Sequence, residues 1–376
     1  MNDEASSQLA SADPMNWTLT EEETEDLEHA ESQVAAVSYS GQDFDVEGLV
    51  RRLNKGDIIV PSFGLDDVTV ETAGFQRGFV WNRKQMDRFI ESLLLGFPIP
   101  GLFLVRQQSD KRYLVLDGQQ RLGTLRAFYK GLHDGKLFEL ANVAPEFIGL
   151  TYETLSDAQR RILDNAFLQA TVVSTDGTQG SLEAVYQIFE RLNSGGTQLT
   201  PHEIRVALFA GPFIAELERI NRTQFWRELY GRKNPRLRDQ ELILRIIALY
   251  MDAESYTRPL KTFLNDFAGD HRNLADSDLL TATRLFEDAA ERLQEGPGPV
   301  ALRKASSQVN AAQTEAIFVA LMRRLSKREI SLDEVTEACA TLSNNDEFSL
   351  ATGRSTADEL VVQARLRIAT QVFEEI

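Results

Sequence analysis

The stretch YLVLDGQQRLGTLRAF, residues 113–128, changes from a strand pattern to a helix pattern. Tyr113–Leu116 is a short apolar run, which predicts a buried strand. Asp117-Gly118 breaks this strand, and a helix follows with an apolar face and Gly131 after its end. The apolar positions of that face are Leu122, Leu125 and Phe128. The stretch therefore predicts a strand-to-helix junction, a building unit of mixed α/β folds.

Elements of both kinds precede this junction. Apolar residues at helical spacing predict a helix that ends before Gly56, and Ile58–Val60 predicts a short strand. Met86–Leu94 shows the apolar stripe of a second helix, which Gly96 ends, and Leu102–Val105 predicts another strand. These elements together predict a small α/β unit.

Beyond residue 140 the pattern is mostly helical. Ser156 and Thr200 each begin a capping box, and Leu168–Ser174 is a candidate strand. Further helices are predicted at 182–192, 242–250, 277–294, 313–327, 331–342 and 356–374. The predicted fold class is therefore α+β, with a small α/β domain followed by a mostly helical region.

The negative charge is concentrated at the N-terminus. The 376 residues carry a formal net charge of −17, but residues 1–50 hold 13 of the 57 acidic residues and no Lys or Arg. A segment this acidic buries too little apolar surface to fold. It is either a solubilising tail or a segment that covers a basic groove of the body. We predict a disordered acidic tail at 1–43, the α/β domain at 44–140 and a helical domain at 141–376.

Composition argues against several classes of protein. The single cysteine, Cys339, excludes a disulfide framework or a Cys-rich zinc site, and the histidines show no metal-ligand spacing. There is no Walker A or dinucleotide-binding glycine motif, and we expect no zinc, haem or flavin. No apolar run approaches the roughly 20 residues that span a membrane, and the acidic N-terminus does not fit a secretory signal. We therefore expect a cytoplasmic protein.

The strand-to-helix junction carries the most suggestive polar side chains. A helix N-terminus presents free backbone N–H groups and the positive end of its dipole to an anion. Arg121 would add a positive charge, and Asp117 could hold Mg²⁺ or take a proton from water. Gln119 or Gln120 could orient that water, and Gly118 would let a ligand approach the backbone. These groups suffice to bind and cleave a phosphate ester or anhydride.

A structural interpretation of the same residues remains open. Asp117, followed three residues later by Gln120, also fits a capping box at the start of the helix. Under this interpretation both side chains satisfy backbone groups of the helix, and no ligand is needed to explain them.

Two further segments combine polar side chains with glycines. Residues 74–81 hold Gln76 and Arg77 among aromatic residues, and residues 191–197 hold Asn193 beside two glycines. Taken alone, the first is an exposed turn and the second a helix C-cap followed by a loop.

A basic cluster lies later in the chain, with aromatic residues between its members. Basic side chains beside aromatic rings can follow the phosphates and bases of a nucleic acid. The cluster is either such a DNA-binding surface or a solvated edge of the helical region. Its basic residues include Arg227, Arg232, Lys233 and Arg236, and its aromatic residues are Phe225, Trp226 and Tyr230.

Five motifs occur in one order along the chain. They are Phe75-Gln76-Arg77 with Val80-Trp81, IESLLLGFPIP at 90–100, DGQQRLGTL at 117–125, IFERLNSGGTQLT at 188–200 and LRDQELILR at 237–245. In this combination the chain resembles the ParB-like N-terminal domain of GmrSD-type restriction systems, from about residue 44 to about residue 270.

The resemblance implies a ParB/sulfiredoxin-like α/β unit packed on a helical region, with a nucleotide-binding pocket around the Asp-Gly-Gln-Gln-Arg motif. Several relatives hydrolyse nucleoside triphosphates and act in bacterial defence against phage DNA. Carried over to this chain, the resemblance implies catalytic roles for Asp117, Gln119, Gln120 and Arg121, with Mg²⁺ held through Asp117. The implied nucleotide contacts come from Gln76, Arg77, Gly118, Thr124 and Asn193.

Two features depart from the full restriction enzyme of that family. That enzyme has a His-Asn-His-type nuclease domain with a metal-binding histidine, whereas residues 272–376 contain no histidine. We therefore do not expect this chain alone to cut DNA. The loop at 62–74 is a second departure, because shorter family members lack it.

The expected function is that of an NTP-binding and NTP-hydrolysing sensor in an anti-phage defence system. Its expected partner is a separate effector protein such as a nuclease, and DNA is a possible further partner. One alternative is a DNA-binding or adaptor protein with a regulatory nucleotide pocket. The other is a ParB-fold nuclease.

Overall fold

The computed structural model describes residues 37–60, 81–107, 111–175, 178–192, 200–274, 276–304, 308–353 and 356–376. Gln76, Arg77 and Asn193 lie outside the described residues, as do the loop at 62–74 and residues 1–36 of the predicted tail.

The first half of the structure mixes strands and helices. In chain order its elements are β1 (Ser38–Asp45), α1 (Val46–Lys55), β2 (Ile58–Ile59), α2 (Arg83–Leu94), β3 (Leu102–Arg106), β4 (Tyr113–Asp117), α3 (Gln119–Lys130), the hairpin of β5 (Leu132–His133) and β6 (Lys136–Leu137), α4 (Asp157–Asp164) and β7 (Phe167–Ser174).

Five of these strands form one mixed sheet in the order β1-β7-β3-β4-β2. β7 runs parallel to β3 and β2 parallel to β4, whereas the pairs β1–β7 and β3–β4 are antiparallel. β7, which follows residue 140, thus lies between β1 and β3. The sheet extends past both predicted domain boundaries, at 43 and at 140. Residues 38–43, predicted as part of a disordered tail, instead form most of β1.

The central strands β3 and β4 carry buried apolar residues on both faces, and neighbouring residues of these strands enter two different cores. Leu104 and Val115 face a core that α1–α4 complete. Val105 and Leu114 belong to the second core, together with Tyr186 of the following helix. Such alternation is the two-residue period of a strand, here with apolar residues on both sides. The sheet therefore lies between the α/β part and the helical part and contributes apolar side chains to both cores.

The second half of the structure is helical, as predicted. Its helices are α5 (Gln179–Leu192), α6 (Pro201–Leu208), α7 (Pro212–Asn221), α8 (Gln224–Tyr230), α9 (Arg238–Asp252), α10 (Leu260–Asp270), α11 (Ser277–Glu295), α12 (Ala311–Leu325), α13 (Leu332–Ser343), α14 (Asp346–Ala351) and α15 (Glu359–Glu375). The fold class α+β is confirmed. No helix of the described segments is both long and apolar enough to cross a lipid bilayer.

An ion triad lies inside the helical core. Glu315 of α12 is completely buried and accepts hydrogen bonds from Arg245 of α9, at 3.1 Å, and from Arg365 of α15, at 2.7 Å. Burial alone would raise the pKa of Glu315, but the two guanidinium groups outweigh this effect and hold its pKa below the ordinary value. The triad joins three helices that are distant in sequence.

Candidate functional site

The strand-to-helix junction has the geometry of an open helix N-terminus. β4 ends at Asp117, and α3 begins at Gln119 with Gly118 as its N-cap residue. Gly118 has no side chain, so it cannot accept from the first N–H groups of the helix. The first turn of α3 also contains no acidic residue. Backbone donors and the positive end of the dipole are thus available to an anionic ligand.

The capping-box interpretation of this junction is wrong. Its expected cap, Asp117, lies one residue before the N-cap, and its Oδ2 accepts a hydrogen bond of 2.7 Å from Nη2 of Arg121. The other member, Gln120, uses its Oε1 to accept from the backbone N–H of Trp81, at 3.1 Å. Neither side chain is used to cap α3.

Only glycine fits between Asp117 and α3. Gly118 has φ of 102°, a backbone conformation that residues with a Cβ rarely adopt. A Cβ at this position would also stand 2.3 Å from Cδ2 of Leu102, the first residue of β3. The Leu102 side chain therefore packs directly against the backbone of Gly118 at the point where the candidate site begins.

Arg121 is buried and its guanidinium is committed to protein acceptors. The residue is 8% exposed. Besides Asp117, it donates to the backbone oxygens of Pro100 and Gly101, which lie just before β3. The structure thus differs from the expectation that Arg121 projects a charge into the pocket. Arg121 instead holds Asp117 against the start of β3, while the Asp117 side chain stays 52% exposed.

The remaining residues of the motif fall into two groups. Gln119, the first residue of α3, is partly exposed, and its side chain makes no hydrogen bond within the described segments. Thr124 is completely buried, and its hydroxyl donates to the backbone oxygen of Gln120 at 2.8 Å. The prediction that Thr124 contacts a nucleotide does not fit this geometry, because its hydroxyl faces the inside of its own helix.

Sequence reasoning missed the contributions of Trp81, Pro100 and Gly101 to this site. Trp81 acts through its backbone N–H, and the other two act through their backbone oxygens, so their side chains gave no signal. The only available hint was the Pro-rich end of the 90–100 segment, which predicts an irregular chain with carbonyl groups outside secondary structure.

The region that carries this site matches a known family. Residues 54–210 match the model of the GmrSD restriction endonuclease, N-terminal domain. This part of the chain is therefore similar to that domain. The match covers the whole of the Asp-Gly-Gln-Gln-Arg motif and runs from α1 to the end of α6. No curated protein was found to match the chain.

Within the matched region, Asp117 is the acidic side chain at the junction that was predicted to hold a metal. No group of three or more His, Cys, Asp or Glu side chains suited to a metal occurs in the part of the chain that the structure describes. Mg²⁺ in nucleotide sites is often held by one or two carboxylates together with the phosphates. A single exposed carboxylate is thus compatible with Mg²⁺ that arrives with a nucleotide.

The basic cluster lies beyond the end of the family match, and three of its members are already paired. Arg227 contacts the buried Asp239 at 2.8 Å, Lys233 contacts Glu218 at 2.5 Å, and Arg236 contacts the buried Glu203 at 3.1 Å. Arg232 is exposed. Acidic side chains of neighbouring elements thus hold the segment from Arg227 to Arg236 against the rest of the protein. DNA binding here stays a prediction, and these contacts disfavour it.

His202 is also accounted for by internal contacts. It is completely buried, its Nδ1 accepts from Arg205 at 3.1 Å, and its Nε2–H donates to Oε1 of Gln240 at 3.1 Å. Burial, together with the charge of Arg205, lowers the pKa of His202 well below its ordinary value. His202 is therefore neutral, and both of its nitrogens are occupied.

Proposed function

We propose that this chain is the NTP-binding and NTP-hydrolysing component of a bacterial restriction-type defence system. The observation that carries the proposal is the exposed Asp117, held by Arg121 at the open N-terminus of α3 within the GmrSD N-terminal domain. The family description names a restriction endonuclease, which supports a role in defence. The proposed partner is a separate effector such as a nuclease, with DNA as a further partner, in the cytoplasm.

The N-terminus of α3 supplies the phosphate contacts in this proposal. The backbone N–H groups of Gln119, Gln120 and Arg121 belong to the first turn, where no intrahelical acceptor exists. Because α3 has no side-chain cap and no acidic residue in its first turn, phosphate oxygens can accept from these donors. Phosphate binding here needs no Walker A sequence, since the donors belong to the backbone.

Asp117 supplies the chemistry. Water attacks the terminal phosphorus, the bond to the bridging oxygen breaks, and the nucleoside diphosphate leaves with the electron pair of that bond. Asp117 is placed to accept the proton of the attacking water or to hold the cation that accompanies the nucleotide. Mg²⁺ bound by Asp117 and the phosphates would neutralise the charge that develops on the phosphate oxygens.

Arg121 has a different task from the one that its charge suggests. Its guanidinium is bonded to Asp117 and to two backbone oxygens, so it fixes the position of the carboxylate. A fixed carboxylate needs less reorganisation when the transition state forms.

The test is phosphate release from each of the four common NTPs with Mg²⁺, for the wild type and for Asp117→Asn. Asparagine keeps an oxygen that can accept from Arg121 but removes the negative charge. Turnover should fall by roughly 10²-fold or more, the effect of losing a catalytic acid–base group, while the melting temperature stays unchanged. Asp43→Asn, an exposed change on β1, is the matched control and should retain wild-type turnover.

Two outcomes would contradict the proposal. Nucleotide binding without turnover in the wild type would favour the alternative of a regulatory pocket in an adaptor. Wild-type turnover in Asp117→Asn would place the chemistry elsewhere in the chain.

A further inference from the structure

The starts of α2 and α3 lie side by side and are joined by one hydrogen bond. Trp81 directly precedes Asn82, the N-cap of α2, and its backbone N–H donates to Oε1 of Gln120 in the first turn of α3. These two residues are 39 positions apart in sequence. The Trp81 ring packs edge-on against Phe89 of α2, with ring centroids 5.5 Å apart, so Trp81 is itself fixed. The bond therefore sets the position of one helix start relative to the other.

The two neighbouring glutamines of the motif consequently differ in what they can do. The side-chain amide oxygen of Gln120 accepts a hydrogen bond from the backbone N–H of Trp81, and its backbone oxygen accepts one from the hydroxyl of Thr124. Gln119 is partly exposed and two residues from Asp117, and its side chain makes no hydrogen bond to any residue that the structure describes. Only Gln119 keeps an amide that can turn toward a water molecule or a ligand.

We infer that the two glutamines divide the work of the proposed site, and this inference rests on the proposed NTP hydrolysis. Gln119 is the catalytic residue that orients the attacking water, accepting one of its hydrogens through the amide oxygen. Gln120 is a positioning residue that holds the start of α2 against the start of α3.

The charge pattern around the bond is consistent with this division. The first turns of α2 and α3 both lack acidic residues, and Lys84 in the first turn of α2 is exposed. Two positive helix ends repel each other weakly when they lie side by side, and a cation in the first turn adds to that repulsion. The hydrogen bond between Trp81 and Gln120 keeps the two helix starts together when no anion is bound.

Three variants separate the two roles. Methionine has a length similar to glutamine and no amide, so Gln119→Met and Gln120→Met each remove one amide. Gln120→Glu keeps an oxygen that can accept from the Trp81 N–H. Each protein is assayed for melting temperature without nucleotide, and for kcat and KM for the NTP that the wild type turns over best.

Gln119→Met should lower kcat by roughly 10²-fold and leave the melting temperature unchanged, because it removes only the water-orienting group. Gln120→Met should lower the melting temperature by about 1–2 °C, the scale of one lost hydrogen bond in a chain of this size. It should also raise KM by a larger factor than it lowers kcat. Gln120→Glu should restore the wild-type melting temperature.

A new first-turn carboxylate stabilises a helix by itself, so Gln119→Glu serves as the control for that effect. The difference in melting temperature between Gln120→Glu and Gln120→Met is compared with the difference between Gln119→Glu and Gln119→Met. A larger difference at position 120 supports the inference. The same low melting temperature in Gln120→Glu and Gln120→Met would overturn the positioning role. Wild-type kcat in Gln119→Met would overturn the catalytic role.

Failure of the proposed function has a different signature. If the wild type releases phosphate from no NTP, the hydrolysis proposal and the role of Gln119 fail together. The melting temperatures of the Gln120 variants still decide the positioning role in that case.

Discussion

Gly118 combines two constraints at one position, a left-handed backbone and a close approach to Leu102. Either constraint alone disfavours a side chain, and together they leave no substitution that fits unless the Leu102 side chain or the backbone at Gly118 moves. Because Asp117 precedes this residue directly, a movement of the backbone also displaces the carboxylate. This tightly packed position thus lies beside the proposed chemistry.

Gly118→Ala tests this coupling. An alanine in the left-handed region costs about 1–2 kcal/mol, and forced contact with Leu102 adds about 1–3 kcal/mol. We expect the free energy of unfolding in denaturant to fall by about 2–5 kcal/mol. Gly135→Ala is the matched control, since Gly135 also has positive φ, of 71°, but nothing lies within 4 Å of its Cβ position. Equal losses in the two variants would mean that the Leu102 contact is unimportant.

The candidate site could be predicted from the sequence only in part. The position of the junction and of Asp117 followed from local patterns, because a strand end and a helix start are encoded by nearby residues. The burial of Arg121 and the tie between Gln120 and Trp81 did not, because their partners are backbone groups 20 to 39 residues away. Local patterns do not show whether a charged side chain meets solvent or a distant carbonyl group.

At the scale of elements, the segment between α8 and α9 also shows that local sequence patterns do not reveal the distant partners of charged side chains. Its run of basic residues is typical of a nucleic-acid surface, yet Glu203 and Glu218, from α6 and α7, reach Arg236 and Lys233 in it. Glu203 is completely buried and also accepts from the backbone N–H of Thr200 at the start of α6. The Arg236–Glu203 pair therefore joins the start of α6 to the start of α9.

Arg236→Ala should act on stability and leave DNA binding unchanged. Removal of one partner from a buried ion pair typically costs about 3–5 kcal/mol, because the remaining charge stays buried. We expect a loss of about that size in denaturant unfolding, with retention on DNA at low salt equal to that of the wild type. Arg232→Ala changes an exposed residue of the same segment and should have the stability of the wild type. Weaker DNA retention by both variants would restore the prediction of a DNA-binding surface.

At the scale of the whole molecule, the ion triad of Glu315 joins α9, α12 and α15, which no local sequence pattern groups together. The helical periods predicted most of these elements, with ends within a few residues of those observed. Their mutual arrangement depends on contacts between residues 50 to 70 positions apart. Helical spacing cannot reveal such pairs, so the sequence predicted the helices and not their packing.

Glu315→Gln should destabilise the protein in a pH-dependent way. Loss of the carboxylate leaves two buried guanidinium groups without their counter-charge, at a cost of about 3–5 kcal/mol near neutral pH. The folded-state pKa of Glu315 lies below its ordinary value, so its ionised form stabilises the fold above the unfolded-state pKa. This advantage is lost as the pH falls through the folded-state pKa. The difference between wild type and Glu315→Gln should therefore shrink in acid.

Denaturant unfolding at a series of pH values measures this difference. Glu347→Gln is the control, because Glu347 forms an exposed ion pair with Arg367 and should give little change at any pH. A difference between wild type and Glu315→Gln that stays constant down to strongly acidic pH would show that the triad does not depend on the charge of Glu315.

The position of β7 between β1 and β3 has a consequence for how the chain folds as it is synthesised. Ser38 pairs with Ser174 and Asp45 with Phe167, so more than 120 residues separate the partners of this ladder. Pairing over such a separation closes a long loop and is slow compared with helix formation. Until β7 has left the ribosome, β1 lacks the strand with which it pairs in the described part of the chain, and one edge of β3 has no partner. During this interval the nascent chain exposes an unpaired edge of the apolar strand β3, and such edges are the surfaces most prone to aggregation and most suited to chaperones.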